Sequence, residues 1–314
     1  MSPRLVILGQ ITIDDVVPAQ PAAWSRCLGG NALWAAAGAR LFLDPSQIGV
    51  VSRRGLGMPF NVESQLRAAG FRHLAIRDVP IDHLVEWLVY EPDGRRRSLP
   101  RNSALLDSTG EGAGAANAAY LEHLSAISPS WEDVPRSWRA AAIHLAPQVY
   151  ERHRRTLSGA SGTASFVSID PSPHYSRSLD LCGFARAVAG VTALLPSEQE
   201  IRHLVAGDPG IEHWKQLATR LLALGVPEMA IKLGARGAVA ADARGVEYIP
   251  PARANAVDLT GAGDAFCGAY AACRILGHTP QEAARQACIA GARATECSGV
   301  DCALRLEVFD GTRA

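Results

Sequence analysis

Apolar and polar positions along this chain alternate on two length scales, and the pattern predicts strands and helices in turn. Residues 5–13 read as a first strand, and a Gly-Gly turn leads into an alanine-rich helix over 32–42. A second core strand follows at 47–51, then a helix over 59–69 that Gly70 ends. From about residue 140 the same alternation resumes, with short apolar runs at 142–145, 167–169, 193–195 and 229–233. Helical spacing fills the intervals at 151–157, 199–206 and 211–224, and two more helices are predicted at 265–276 and 280–296. Runs that are apolar on both faces, separated by amphipathic helices, argue for a mainly parallel sheet covered on both sides. Residues 72–100 break the rhythm, with short strand-like pieces at 74–76, 85–90 and 95–99 around the turn Asp93-Gly94. With residues 11–26 they are expected to form a small β lid. The Gly/Ala-rich stretch 110–119 reads as a loose connection or a short helix, and no internal repeat interrupts the chain.

Composition narrows the function classes. A chain of 314 residues with 48% hydrophobic content can bury one large core or two modest ones, and residues 1–314 are read as a single domain. Lys plus Arg equals Asp plus Glu at 31 each, so a general nucleic-acid or membrane-surface binder is not expected. No apolar run is long enough to span a bilayer, and the first strand is too short and too soon followed by Asp14 and Asp15 to read as a signal peptide. Seven scattered cysteines without a CxxC pair read as reduced thiols of a cytoplasmic protein.

The candidate chemistry concentrates in Asp258-Leu259-Thr260-Gly261-Ala262-Gly263-Asp264-Ala265-Phe266. Gly261, Ala262 and Gly263 let backbone amides converge on an anion, and the small residues that follow start a helix whose positive end faces the same point. Asp264 falls in the first turn, where a carboxylate can take a proton from an attacking hydroxyl. This stretch closely resembles the signature of the ribokinase-like (PfkB) family of sugar and nucleoside kinases, with Leu259 in place of the family's first Thr. The resemblance implies Asp264 as catalytic base and the Gly261–Gly263 amides as anion hole. It also implies a three-layer α/β/α sandwich with a mainly parallel sheet and a small β lid.

Further motifs stand in the family's order along nearly the whole chain. Gly9 followed by Asp14 matches the first-strand pattern in which the Asp binds substrate hydroxyls, with Asp15 as competitor for the role. Gly29-Gly30 matches the turn that lets a sugar approach the backbone, and Asn31 stands where a polar sugar contact is often found. Pro196-Ser197-Glu198-Gln199-Glu200 is similar to the family's Pro-Asn-x-x-Glu, which organises Mg2+ and phosphate waters. Ser197 replaces the Asn, and Ser197 with Glu200 equally spells a capping box. Lys232-Leu233-Gly234-Ala235-Arg236-Gly237 resembles the turn bordering ATP, so Ser197, Lys232, Gly234 and Gly237 are nucleotide-site candidates. Asp170-Pro171-Ser172-Pro173 resembles the strand-end element near the phosphate donor, or is a bare proline-bounded turn. Residues 55–60 resemble an architectural segment of the family without its acids. By resemblance, Glu200 serves Mg2+, and Asp258 and Thr260, with carbonyls near Ala294, Cys297 and Gly299, hold K+.

Two departures bear on the substrate. Trp34 stands where the family has an Asn, and its indole either stacks on the ligand or packs the helix into the core. Arg95-Arg96-Arg97 in the lid either binds a substrate phosphate or is solvated. The expectation is therefore an ATP- and Mg2+-dependent kinase acting on a hydroxymethyl group of a sugar or nucleoside. The acceptor is expected to be unphosphorylated, and the lid edges make a homodimer plausible. The alternative is a catalytically inactive sensor of sugar or nucleotide on the same scaffold. A dinucleotide-dependent oxidoreductase is excluded, because no GxGxxG follows the first strand.

Overall fold

The short apolar runs become the middle of the molecule because each can be buried on both faces at once. Leu5–Leu8 and Ala142–Leu145 are buried throughout and lie side by side in parallel, with Phe166–Ile169 next to them. The computed structural model describes residues 2–17, 25–90, 96–100, 111–207 and 209–307. In chain order the strands are β1 (Leu5–Leu8), β2 (Thr12–Val17), β3 (Ser25–Gly29), β4 (Ile48–Leu56), β5 (His73–Asp82), β6 (Val85–Tyr90), β7 (Arg96–Pro100), β8 (Ala142–Leu145), β9 (Phe166–Ile169), β10 (Ala193–Leu194), β11 (Glu228–Lys232), β12 (Ala238–Asp242) and β13 (Gly245–Ile249). A nine-stranded sheet runs β13-β12-β11-β10-β9-β8-β1-β4-β5, parallel from β11 to β5, with β12 and β13 added antiparallel at one edge. A second sheet runs β3-β2-β6-β7 and is mixed: β2 is parallel to β6, while both outer pairs are antiparallel.

Alternation along each strand builds two cores. Leu5 and Ile7 face the helices Asn31–Ala39, Ala262–Ile275 and Pro280–Thr295, while Val6 and Leu8 face Tyr150–Ala160, Leu181–Ala187 and Ile211–Ala223. The result is the expected α/β/α sandwich. The helix Pro280–Thr295 starts where its sequence says it should, with Pro280 in its first turn and a Thr279/Glu282 capping box. Asn31–Ala39 and Ala262–Ile275 touch almost backbone to backbone. A Cβ on Gly38 would lie 1.9 Å from the Ala265 carbonyl oxygen, and one on Gly268 would lie 1.8 Å from that of Ala35. These two glycines fix how the helix bearing Asp264 sits against the helix bearing Asn31 and Trp34.

Several expectations are corrected. Residues 5–13 are two strands, because the chain leaves the large sheet at Gly9–Ile11 and Ile13 N bonds Leu84 O in the small one. His73–Asp82 is not in the small sheet but forms the edge of the large one, parallel to β4. Its exposed, polar alternation is that of an edge strand, which reads much like a lid strand in one dimension. The hairpin β12–β13 is an addition to the expected elements, with Ala243-Arg244 as its turn and Gly245 opening β13. Of the two readings of the Gly/Ala-rich stretch, the helical one holds, and residues 111–119 open a longer helix than expected, Glu111–Ile127. The helix expected at 199–206 is a single turn, Glu198–Ile201, followed by the 3-10 turn Arg202–Leu204. The Asp93-Gly94 turn and Arg95 lie outside the described residues, as do the side chains of Arg96 and Arg97.

The cysteines are not all reduced thiols: Cys297 and Cys302 form a disulfide, and Cys27, Cys182, Cys267, Cys273 and Cys288 are free. Thiol titration of the denatured protein is expected to find five groups without reductant and seven after reduction. Seven in both cases would refute the bridge.

Candidate active site

The glycine-rich loop takes the shape its residues permit. Gly261 adopts φ 74°, a left-handed conformation available to glycine at little steric penalty, and caps the helix Ala262–Ile275. Ala262 and Gly263 stand in the first turn, where backbone amides have no intrahelical acceptor, and Gly263 is exposed. Asp264 follows in the same turn, partly exposed. Amides, helix dipole and a carboxylate at a solvent-accessible point are what phosphoryl transfer to a hydroxyl requires.

Trp34 lies directly beneath this loop. It is 2% exposed, and a Cβ on Gly261 would fall 1.9 Å from its Cδ2, so the indole face and the glycine are in contact. Packing is thus the role the structure assigns it, with the indole Nε1 left without a partner inside the protein. No alanine could stand at 261 without displacing both its own backbone and this ring.

The acceptor-side candidates connect to the loop through the same helix. Asp14 and Asp15 point to opposite faces of β2. Asp15 is held by the Arg26 guanidinium through two bonds of 2.7 and 2.8 Å. Asp14 is 6% exposed, accepts from Thr12 Oγ1 at 2.5 Å, and has its carboxylate where a Cβ on Gly29 would be, 1.8 Å from Oδ2. Gly29 is therefore what leaves Asp14 its place. Thr12 was not anticipated, though its two-residue spacing from Asp14 puts both on one face. Gly30 has φ 110° and caps the helix that begins at Asn31. The Asn31 carboxamide is engaged by the chain around it: Oδ1 accepts from Gln10 N at 2.7 Å and Nδ2 donates to Pro147 O at 2.9 Å. Its visible work is to tie the ends of β1 and β8 together.

Among the nucleotide-site candidates, Lys232 ends β11. Its ammonium is buried, pairs with Asp170 Oδ2, and lies 3.2 Å from Cys267 Sγ and 3.7 Å from where a Gly263 Cβ would be. The Cys267 thiol donates to the same Asp170 oxygen at 3.3 Å, while Asp170 Oδ1 has no partner in the protein. Cys267 sits one turn after Asp264, a spacing that could have signalled it. Lys232 also bridges in β fashion to Ser197, whose capping box with Glu200 is formed. Gly234 and Gly237, at φ 58° and 83°, make the tight turn just beyond, closed by Leu233 N to Gly237 O. Asp258 and Thr260 gather elsewhere: Thr260 N bonds Asp258 Oδ1 at 2.8 Å, and Val257 N and Asp258 N both donate to Thr295 O. Among the described residues no group of three or more His, Cys, Asp or Glu has the arrangement of a metal site.

Electrostatics around Lys232 are coupled. Burial works against its charge, but Asp170, Cys267 and Glu200 raise its pKa, so it stays an ammonium. Glu200 is pushed up to about 7 by burial and by Asp170, against the pull of Lys232. Asp170 is raised as well, by burial first, with Asp264 adding to it and Lys232 opposing. Carboxyl groups raised in the folded state hold protons that the unfolded chain has already released. Their contribution to stability is therefore present at low pH and lost as pH climbs through the folded value. Glu200→Gln keeps a capping-box acceptor but cannot titrate. The fall in unfolding free energy from about pH 5 to about pH 7 is expected to be shallower in this variant than in the parent, measured by urea denaturation. Equal slopes would refute the assignment.

The family model for pfkB family carbohydrate kinase matches residues 158–305. An uncharacterized sugar kinase of Archaeoglobus fulgidus is 29% identical over 133 residues, which is 42% of this chain and 51% of that protein. The matched stretches span about half or less of the curated relatives' own length. A putative ribokinase II of E. coli in complex with ATP and Mg2+ superposes with a TM-score of 0.64 at 19% identity, covering 96% of this chain and 95% of that one. A nucleoside kinase of Burkholderia thailandensis in complex with inosine gives 0.68 at 18% identity, covering 95% and 93%. The likeness to the solved structures is one of fold, and that fold is ribokinase-like. No helix among the described residues is long and apolar enough to cross a membrane.

Proposed function

We propose, for a chain that carries a pfkB-family carbohydrate kinase region at residues 158–305 on a ribokinase-like fold, that it transfers the γ-phosphoryl group of ATP to a hydroxymethyl group of a sugar or nucleoside. The observation that carries this reading is Asp264 in the first turn of a helix opened by left-handed Gly261, beside exposed Gly263. Asp264 orients the acceptor hydroxyl and takes its proton as the O–P bond forms. The amides of Gly261, Ala262 and Gly263 hold the phosphoryl oxygens on which charge accumulates. Lys232, fixed beneath Gly263, keeps a positive charge close to that site. Asp14 accepts from acceptor hydroxyls, with Gly29 and Gly30 allowing close approach and Asn31 holding the strand ends that frame them.

The donor set suits a hydrated Mg2+: the Glu200 carboxylate and the unpartnered Asp170 Oδ1 are hard oxygen donors on the nucleotide side. Bound there through waters, the ion would neutralise phosphate charge. Asp258, Thr260 and the carbonyls of the 294–299 segment, already linked through Thr295 O, offer oxygen donors for K+ behind the loop. A cytoplasmic location follows from dependence on ATP, and a homodimer through the edges of the small sheet is part of the same reading.

The test is ADP release across a panel of sugars, nucleosides and sugar phosphates, in potassium-rich and potassium-free buffer. Turnover of an unphosphorylated polyol, faster with potassium, is expected. No acceptor-dependent ADP release with any of them would refute the kinase reading. Equal rates in the two buffers would remove the potassium site alone.

A further inference from the structure

Two buried glutamines stand near the carboxyl ends of neighbouring strands, and only one of them is accounted for by the protein. Gln10, just past β1, donates from Nε2 to Ser128 Oγ at 2.7 Å and accepts at Oε1 from Asn31 Nδ2 at 3.3 Å. Gln148, just past β8, is 1% exposed, and neither its Oε1 nor its Nε2 has a partner. A buried polar group left unpaired loses its hydration without recompense, and such groups are few in folded proteins. A carboxamide with both ends unmet at this place calls for a partner from outside the chain.

Its surroundings say which partner. The segment from Leu145 to Gln148 is tied on one side to the acceptor-side residues: Pro147 O accepts from Asn31 Nδ2, and Ala146 is packed against Gly9. On the other side Asp170 N donates to Leu145 O at 2.9 Å, leading directly to the Asp170–Lys232 pair. In the sheet, β8 lies between β1 and β9, so Gln148 falls between the two halves of the candidate site. Open α/β sheets bind their ligands at the carboxyl ends of such strands.

We propose that Gln148 is a specificity residue whose carboxamide binds hydroxyls of the phosphoryl acceptor, Nε2 donating and Oε1 accepting. The inference rests on the kinase reading and narrows its substrate class. A hydroxyl satisfies both ends of the amide, because it donates and accepts. A phosphate or carboxylate at the same place has acceptors only and leaves Oε1 unmet. Gln148 therefore favours a neutral hydroxyl over a phosphate or carboxylate at this place in the acceptor.

Gln148→Met keeps the volume and removes both polar ends, and Gln148→Glu keeps the acceptor and removes the donor. Three quantities separate a ligand contact from a structural one: ligand-free thermal stability, KM for the acceptor identified by the panel, and KM for ATP. Thermal protection by D-ribose, D-fructose or inosine, measured without ATP, gives a binding readout that needs no turnover. Gln148→Met is expected to be at least as thermally stable as the parent without ligand, since an unpaired amide is replaced by an apolar group. It should also raise acceptor KM at least tenfold, leave ATP KM within twofold and lose the protection. Gln148→Glu should be no more stable than the parent without ligand and bind the acceptor less well than the parent. An acceptor KM within twofold of the parent in Gln148→Met, with the enzyme active, overturns this inference and leaves the kinase reading intact. So does a ligand-free variant that is markedly less stable, because Gln148 then has its partner inside the protein. A parent neither protected nor turned over with any polyol overturns both.

Discussion

Asp264→Asn is expected to lower kcat by two orders of magnitude or more while leaving the fold and ATP affinity in place. Amide and carboxylate are nearly isosteric, so the first turn of Ala262–Ile275 and the left-handed Gly261 before it have no reason to move. What disappears is the proton acceptor at the point where the hydroxyl attacks, and general-base effects of that kind are worth roughly 10²–10⁴ in rate. Circular dichroism and ATP titration serve as controls, and single-turnover ADP release is the measurement. A variant with more than about a tenth of the parent rate would exclude Asp264 as the base, given that range. An inactive binding protein on the same scaffold would show no acceptor-dependent turnover even in the parent.

The largest stability effect is expected from Lys232→Met. Removing the ammonium leaves Asp170 at 3% exposure with one oxygen already unpartnered and the other stripped of its cation, and Glu200 loses the charge that offsets it. Breaking a buried ion pair from one side typically costs about 3–5 kcal/mol. Adding Asp170→Asn should recover part of that loss, because the stranded charge is then gone, and the double-mutant cycle gives the coupling. Lys232→Arg is a poor rescue, since the fork must fit under Gly263, whose Cβ position is only 3.7 Å from the present Nζ. Urea denaturation at neutral pH reads all four variants against the parent. A loss below about 1 kcal/mol for Lys232→Met would mean that the pair is solvated and the cluster is not a buried one.

Much of the architecture was legible because it is written locally. β8 was read at its observed bounds, and β9 and β11 to within one residue at each end, since an apolar run of strand length has few alternatives. The signature loop was legible for the same reason, as left-handed Gly261, the helix start and Asp264 all lie within a few residues. Other features were legible only as residues. Asp170 and Lys232 are 62 positions apart and Asp170 and Cys267 97 apart, so nothing local announces their contact. Trp34 gave two readings because stacking on a ligand and packing under Gly261 require the same buried aromatic. Asn31 looked like a ligand residue because an amide at a glycine turn suits either a sugar or two backbone groups.

By itself, then, the sequence determined much of the alternation of strand and helix, the Ser197–Glu200 cap and the helix-opening shape of the Gly261–Asp264 turn. Each of these depends on burial pattern or backbone freedom over a handful of neighbours. The tertiary structure alone decided that His73–Asp82 joins the large sheet, that Cys297 meets Cys302, that Trp34 supports the loop, and that Lys232 lies between Asp170 and Gly263. Those outcomes turn on which distant surfaces exclude water together. Short-range propensity says little about that, since an edge strand and a lid strand, or a paired and an unpaired lysine, have the same local sequence.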